Sequence, residues 1–347
     1  MSFLEEYNYS IPEELVAHEP ASPRDSARLF VYDTKTNAVS FHTVRDLSVL
    51  LPGAQFIYNN TRVEPARLKG IGNANKPVEL LVLVDQGFGE HGEVRSLVNR
   101  FTPTGEAIHV DGYIFSILEN NEKSMLMQFS GSRTELSQLL ETSGETPLPP
   151  YVHSTESEEV KRTRYQTIFA EDAASIAAPT ASLHFTRELI ESLHTTGAHL
   201  APVTLQVGLG TFAPIFPEHF ESGKLHTEFC SVPEGTAKAI LQARDAGKPV
   251  VAIGTTVMRT LESFKDEIKA GTGAFGSTEI FIRPPYSFTH ADALLTNFHV
   301  PKSSLMCLVE AFLQSKGAKK HSLVDLYNIA ILEKFRFYSF GDAMLIL

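Results

Sequence analysis

Cysteine is scarce: Cys230 and Cys307 are the only two in 347 residues. So few, so far apart, exclude a disulfide framework and fit a reducing compartment. No apolar run is long enough to span a bilayer. The most apolar C-terminal stretch, SSLMCLVEAFL, is too short and carries Glu310. The acidic start, MSFLEEYNYSIPEEL, has neither a basic nor an apolar leader region, which predicts no signal peptide and a cytoplasmic protein. Positive charge is also in deficit, with 30 Lys and Arg against 41 Asp and Glu, a formal net charge of −11. That disfavours a protein held on nucleic acid by bulk electrostatics, though a local basic groove stays compatible with it. A Gly-Lys-Ser/Thr phosphate loop, a G-x-S-x-G elbow and zinc-finger spacing are all missing. What is present is an ordinary globular composition, 43% hydrophobic and 20% charged, with length for one large or two modest domains.

The texture changes along the chain. RLFVYD (28–33) and AQFIYN (54–59) read as strands. From about residue 63 to 149, VELLVLV, GEVRSLV, YIFSIL and SMLMQFS follow one another as close-spaced strands. One helix-like piece, RTELSQLLETSG, is found among them, which predicts a small all-β barrel or sandwich. The proline-rich TPLPPY (146–151) is a stiff exit from it. Beyond Tyr151 strands and helices alternate. TRELIESLHTTG predicts a helix with Thr186 as N-cap, Phe185 and Ile190 as a hydrophobic staple and Gly197 at its stop. SVPEGTAKAILQARDAG predicts a helix opened by a Ser231–Glu234 capping box and closed at Gly247. VMRTLESFKDEIKAG reads as one continuous helix. The expected architecture is α/β, an open mixed sheet flanked by helices. It is built from residues 1–62 and 150–347, with an inserted all-β barrel at 63–149.

Polar clusters fall at predicted strand ends and helix starts, where α/β sheets bind ligands. VGLGTF has too few glycines for a dinucleotide fingerprint and is matched as well by a simple turn. GTT (254–256) lies between a buried strand and a helix. It would offer backbone N–H groups to an anion, or serve as an ordinary capped connection. His219, His226 and Glu228 form H-x6-H-x-E, which raises a metal site without matching a specific ligand spacing. On a strand, His226 and Glu228 share one side and could serve as an acid–base pair or sit on an exposed edge. His184 precedes a helix and His299 follows a strand. Arg24 with Asp25, and Arg336 with Asp342, fit structural ion pairs.

Read in order, the blocks resemble one family. They are IPEELVAHEPASPRDSARL, LLPGAQFIYNNTRVEPARLKG, PLPPYV, RYQTIFA, AAPTASLHFT, VTLQVGLGTFAPI, LHTE, AIGTTVMRTLES, LLTNFHVPKSSLMCLVEAF and FRFYSFGDAMLI. The sequence is similar to the S-adenosylmethionine:tRNA ribosyltransferase-isomerase family of queuosine biosynthesis. The resemblance implies an α/β domain with an inserted barrel. It also implies transfer and rearrangement of the ribosyl group of S-adenosylmethionine onto 7-aminomethyl-7-deazaguanine in the tRNA anticodon loop. The products would be epoxyqueuosine-tRNA, adenine and methionine, with no metal required.

On that resemblance His184, His226 and Glu228 are the expected acid–base set, with Asp342 in reserve. Thr255, Thr256 and Arg259 are expected at the methionine carboxylate. Phe185, Phe212 or Tyr286 would flank adenine, while Ala178, Pro179, Thr180, Gly210 and Thr211 bring backbone close to the nucleoside. Arg62, Arg67 and Arg164 are the expected tRNA contacts, and a monomer is expected. The chain departs from the family pattern at Gln206, Ser182, Leu225 and Pro285, and it has no tryptophan. These departures keep two alternatives open: a paralogue that binds S-adenosylmethionine or tRNA without turnover, and a metal-dependent hydrolase using His219, His226 and Glu228.

Overall fold

The computed structural model describes residues 3–100, 102–121, 124–208 and 215–347. In chain order the first strands are β1 (Arg28–Asp33), β2 (Ala38–Thr43), β3 (Gln55–Asn59) and β4 (Thr61–Val63). Six follow close together: β5 (Arg67–Ile71), β6 (Pro77–Val82), β7 (Glu93–Val98), β8 (Ala107–Val110), β9 (Tyr113–Asn120) and β10 (Met125–Phe129). The rest are β11 (Asp172–Ser175), β12 (His199–Leu205), β13 (Lys224–Val232), β14 (Val250–Ile253), β15 (Ala274–Ile280), β16 (Ala293–Asn297) and β17 (Ala343–Ile346).

A nine-stranded sheet runs in the order β15-β13-β12-β3-β14-β16-β17-β1-β2. Its centre, β12-β3-β14-β16, is parallel, and antiparallel pairs flank it. The period of two in the strands explains why both faces are covered. Val250 and Ala252 of β14, with Phe30, Tyr32, Met344 and Ile346, enter the core on one face. Val251 and Ile253, with Leu29, Val31, Ala343 and Leu345, enter the core on the other. The first face is covered by residues of α6 (Glu234–Asp245), α7 (Thr255–Ser263), α9 (Ser304–Ser315) and α10 (Leu323–Leu332). The second is covered by α1 (Leu47–Leu50) and α4 (Arg187–Thr195).

The six strands β5 to β10 close into an antiparallel barrel around Leu68, Leu80, Ile108, Phe115 and Met127. Helix α2 (Arg133–Ser143) adds Leu136, Leu139 and Leu140 to that core. It begins at a Ser132–Glu135 capping box. In the chain the barrel strands fall between β4 and β11, which pair with each other in parallel. The mixed α/β sheet and the closed β-barrel are therefore as the sequence reading expects.

Three local expectations need comment. Thr186 does cap α4, its Oγ1 accepting from Leu189 N at 3.1 Å and donating to Asp25 at 2.9 Å. The Ser231–Glu234 box does not form. Ser231 is held in β13, paired with Thr204 and Phe275, so α6 starts behind Pro233 with no side-chain cap. The single helix read over 257–271 is two. Ser263 Oγ donates to Arg259 O at 2.7 Å and lies 2.6 Å from the Thr278 hydroxyl, and Phe264 leaves helical geometry between α7 and α8 (Lys265–Lys269). Among the described residues no helix is long and apolar enough to cross a membrane.

Candidate active site

The central parallel strands end on one edge of the sheet, and the continuations of three of them, β12, β14 and β16, build a cleft of ≈ 590 Å³. β14 leads through Gly254 into α7, which contributes Thr255 and Thr256. Gly254 has φ +93°, a turn that favours glycine. β16 contributes Thr296 and Asn297, and the chain beyond it Phe298 and His299. β12 leads to Val207. The stretch Ala178, Pro179, Thr180 and Ala181 forms a wall of small side chains. Tyr151, Tyr338 and Ser339 complete it from distant parts of the chain, with Val300 and Leu305.

Leu305 also borders a second, smaller pocket of ≈ 360 Å³ that holds His226, Glu228 and Arg259. Arg259 lies one turn along α7 from Thr255 and Thr256, so one helix serves both spaces. Its Nη1 makes a buried ion pair with Glu228 Oε2, and Glu228 Oε1 accepts from Gly208 N at 3.1 Å. Among the described residues Arg259 Nε and Nη2 have no partner, and the same holds for Thr256 Oγ1 and Asn297 Oδ1. A buried polar atom without a hydrogen bond costs about 1–3 kcal/mol. Three such residues gathered around two adjoining pockets mark a place where a ligand supplies the missing partners.

Two histidines here are neutral. Burial pulls His184 down to about 4, against a smaller opposing pull from Asp342. Burial alone pulls His299 down to about 3. His299 lines the cleft with Nε2 at 3.3 Å from Thr296 Oγ1 and Nδ1 at 3.3 Å from Tyr327 OH. Its carbonyl accepts from Tyr9 OH. His184 stands one layer back, Nε2 at 3.5 Å from Asn297 Nδ2, and is not part of the wall.

Other expected site residues lie elsewhere. Asp342 is a structural clamp: it accepts from Arg28 N at 3.1 Å and Arg336 N at 2.8 Å and pairs with the Arg336 guanidinium at 3.1 Å. Phe185 is buried in the sheet core beside Phe169, with Ile190 packed nearby, and does not reach the cleft. Tyr286 donates to Glu262 at 3.2 Å and packs on Phe288, away from both pockets. Gly210, Thr211 and Phe212 lie outside the described residues. Arg62 pairs with Glu64 at 3.0 Å, Arg67 with Glu79 at 3.6 Å, and Arg164 with Glu19 at 3.2 Å. Arg62 and Arg164 line different surface grooves. The ligands in the metal reading are engaged otherwise: His219 Nδ1 accepts from Phe216 N at 3.0 Å, the His219 and His226 rings meet edge to face at 5.6 Å, and Glu228 pairs with Arg259. Among the described residues no group of three His, Cys, Asp or Glu is placed to hold a metal ion. Ser182, where the family pattern has glycine, sits in an ordinary 3-10 turn with its N–H on Pro179 O at 2.9 Å, free of left-handed strain.

The sequence reading assigned no role to Tyr151, Asn297, Tyr338 or Ser339. All four lie inside quoted blocks, yet no spacing links residue 151 to residue 338.

Fold and site thus define an α/β protein with a ligand cleft at the carboxyl ends of its parallel strands and a closed β-barrel. Residues 4–346 match the family described as "Queuosine biosynthesis protein", and the chain belongs to it. It is 40% identical over 351 residues to the S-adenosylmethionine:tRNA ribosyltransferase-isomerase of Sulfurihydrogenibium sp., covering 99% of both chains. It is 38% identical over 347 residues to the enzyme of that name from Thermotoga maritima, again covering 99% of both. Among solved structures it is similar to the S-adenosylmethionine tRNA ribosyltransferase of Thermotoga maritima, with a TM-score of 0.55, 30% identity, and coverage of 99% of this chain and 100% of that one.

Proposed function

We propose that the chain is an S-adenosylmethionine:tRNA ribosyltransferase-isomerase acting in the cytoplasm as a monomer. It moves the ribosyl group of S-adenosylmethionine onto the aminomethyl group of 7-aminomethyl-7-deazaguanine in the tRNA anticodon loop and rearranges it to the epoxycyclopentane. The observation that carries this reading is the set of buried, partnerless atoms on Thr256, Arg259 and Asn297 around the adjoining pockets.

A methionine carboxylate fits them. Arg259 Nε and Nη2 present two N–H donors in the planar fork that carboxylates accept. The first turn of α7 adds Thr256 Oγ1 and helix-end N–H groups. The ribose lies against Ala178 to Ala181, where small side chains bring the backbone near.

The sulfonium acidifies the adjacent ribose C–H, and the incoming ammonium must lose a proton before it attacks. Both steps need bases within reach. His226 and Glu228 border the smaller pocket and serve this role, while His184 positions Asn297 from behind. Arg62, Arg67 and Arg164 contact tRNA phosphates. Their half-exposed ion pairs are worth little, about 0–1 kcal/mol each, and a phosphate displaces the carboxylates. Residues 63–149 form the inserted lobe beside the site.

The test is incubation of the protein with S-adenosylmethionine and tRNA carrying the aminomethyl-deazaguanine. Equal release of adenine and methionine with epoxyqueuosine in the tRNA is the expected result. Tight binding of S-adenosylmethionine with no adenine release would overturn it in favour of a non-catalytic relative.

A further inference from the structure

We propose that Tyr151 and Tyr338 form the slot in which a purine-type base of the substrates stacks. The proposal rests on the function proposed above and names which protein surface reads the flat base.

Of the aromatic residues that line the cleft among the described residues, Phe298 and His299 are packed into the core. Tyr151 and Tyr338 are only half-buried and leave ring surface on the cleft wall. Their ring centroids are 4.8 Å apart with planes 52° apart, so the two rings touch as a tilted pair and a base stacks on their cleft side, not between them. The phenol of Tyr151 is fixed by Ser339 Oγ at 2.8 Å, and that of Tyr338 interacts with Tyr9.

The backbone gives the second, independent argument. Tyr338 has φ +71°, a left-handed conformation that a bulky side chain occupies at a cost. The surroundings enforce it. Tyr338 N donates to Phe298 O at 3.1 Å, and Tyr338 O accepts from Asn297 Nδ2 at 3.1 Å. Asn297 is the residue whose Oδ1 is left buried without a partner. Strain and an unsatisfied acceptor thus meet at one point of the wall. A purine edge amine donating to Asn297 Oδ1, with the ring on the tyrosines, would supply the missing partner. A glycine at 338 would make the same turn without strain, so the ring itself is what the site retains.

Two substrates carry such a base: S-adenosylmethionine through its adenine, and the tRNA through its deazaguanine. The experiment measures equilibrium binding of each alone to wild type, Tyr338→Gly, Tyr338→Phe, Tyr151→Leu and Tyr151→Phe, with thermal unfolding of every variant. Stacking on an aromatic side chain sets the expected loss at roughly 10- to 100-fold in Kd for Tyr338→Gly and Tyr151→Leu. The phenylalanine variants should bind within about 3-fold of wild type. Tyr338→Gly sets relief of a left-handed tyrosine against lost packing of the ring, so its binding is measured well below its own unfolding transition, where a binding loss is not a folding loss.

A loss confined to S-adenosylmethionine assigns the slot to adenine, and a loss confined to tRNA assigns it to the flipped deazaguanine. Either result supports the proposal. If wild type binds both ligands and Tyr338→Gly and Tyr151→Leu bind them equally well, the slot is wrong while the proposed function stands. If wild type binds neither ligand, the proposed function fails and the slot fails with it.

Discussion

The Arg259–Glu228 pair makes the sharpest prediction, because it couples stability to substrate. Both side chains are nearly out of water, at 8% and 2% exposure. Replacing Glu228 by glutamine keeps the size and the acceptor for Gly208 N but strips Arg259 of its counter-charge. Removing one partner of a buried pair typically costs about 3–5 kcal/mol, because the remaining charge is left uncompensated. A drop in Tm on the order of 5–10 °C is expected for Glu228→Gln without ligand. The double variant Glu228→Gln with Arg259→Met removes both charges and should recover much of that loss. If the methionine carboxylate binds Arg259, it restores the missing charge in Glu228→Gln. S-adenosylmethionine at saturation should then raise the Tm of Glu228→Gln more than that of wild type, and should not raise that of Arg259→Met. Differential scanning fluorimetry across a ligand titration reads all four proteins. Equal ligand shifts in wild type and Arg259→Met would refute the assignment of Arg259 to the carboxylate. A stable Glu228→Gln without ligand would refute the energetic argument itself.

Other outcomes follow from the same geometry. His184 and His299 are neutral when folded, at about 4 and about 3, against 6.5 for an ordinary imidazole. Unfolded chains take up those protons first as pH falls, so stability is full above pH 6.5 and lost below it, by roughly 1.4 kcal/mol per pH unit per histidine down to the folded values. Urea titrations from pH 7.5 to 4.5 should show this slope, and His184→Gln should make it shallower; an unchanged slope removes His184 from the account. Thr256→Val deletes a buried hydroxyl that has no partner. The ligand-free protein should be as stable as wild type or more so, while S-adenosylmethionine binds about 5- to 10-fold more weakly. If calorimetry gives an unchanged Kd, Thr256 Oγ1 does not contact the ligand. Asp342→Ala should lower stability by about 3 kcal/mol by orphaning Arg28 N and Arg336 N. Asp342→Asn should keep turnover near wild type, and a loss of orders of magnitude in kcat at unchanged Tm would show that Asp342 does chemistry after all.

The parts of the molecule that could be read from sequence are those fixed by neighbours in the chain. The VVAI run of β14 is apolar at every position because both of its faces are covered, and its type was evident. Thr186 was recognisable as a cap because the hydroxyl and the N–H it satisfies lie three residues apart. Ser231 looked equally good by the same rule and was wrong, because pairing with Thr204 and Phe275 holds it in β13. Local chemistry proposes a cap, and a tertiary ladder can overrule it. The site divides the same way. GTT and TNFH were found because strand ends in an α/β sheet face ligands, whatever the ligand is. Phe185 was placed in the site although the staple already read in the sequence commits it to packing beside α4. Of the two local signals, the packing one should have decided. Tyr151 and Tyr338 offered no local signal at all, since they meet only after the chain has closed the sheet between them. The residues that read a substrate need not be neighbours in sequence, because the ligand is recognised in space; the residues that start a helix must be. This is why an arginine on α7 was foreseeable as a binding group and a pair of tyrosines 187 residues apart was not: Arg259 inherits its place from the helix, whereas each tyrosine inherits its place from the whole fold.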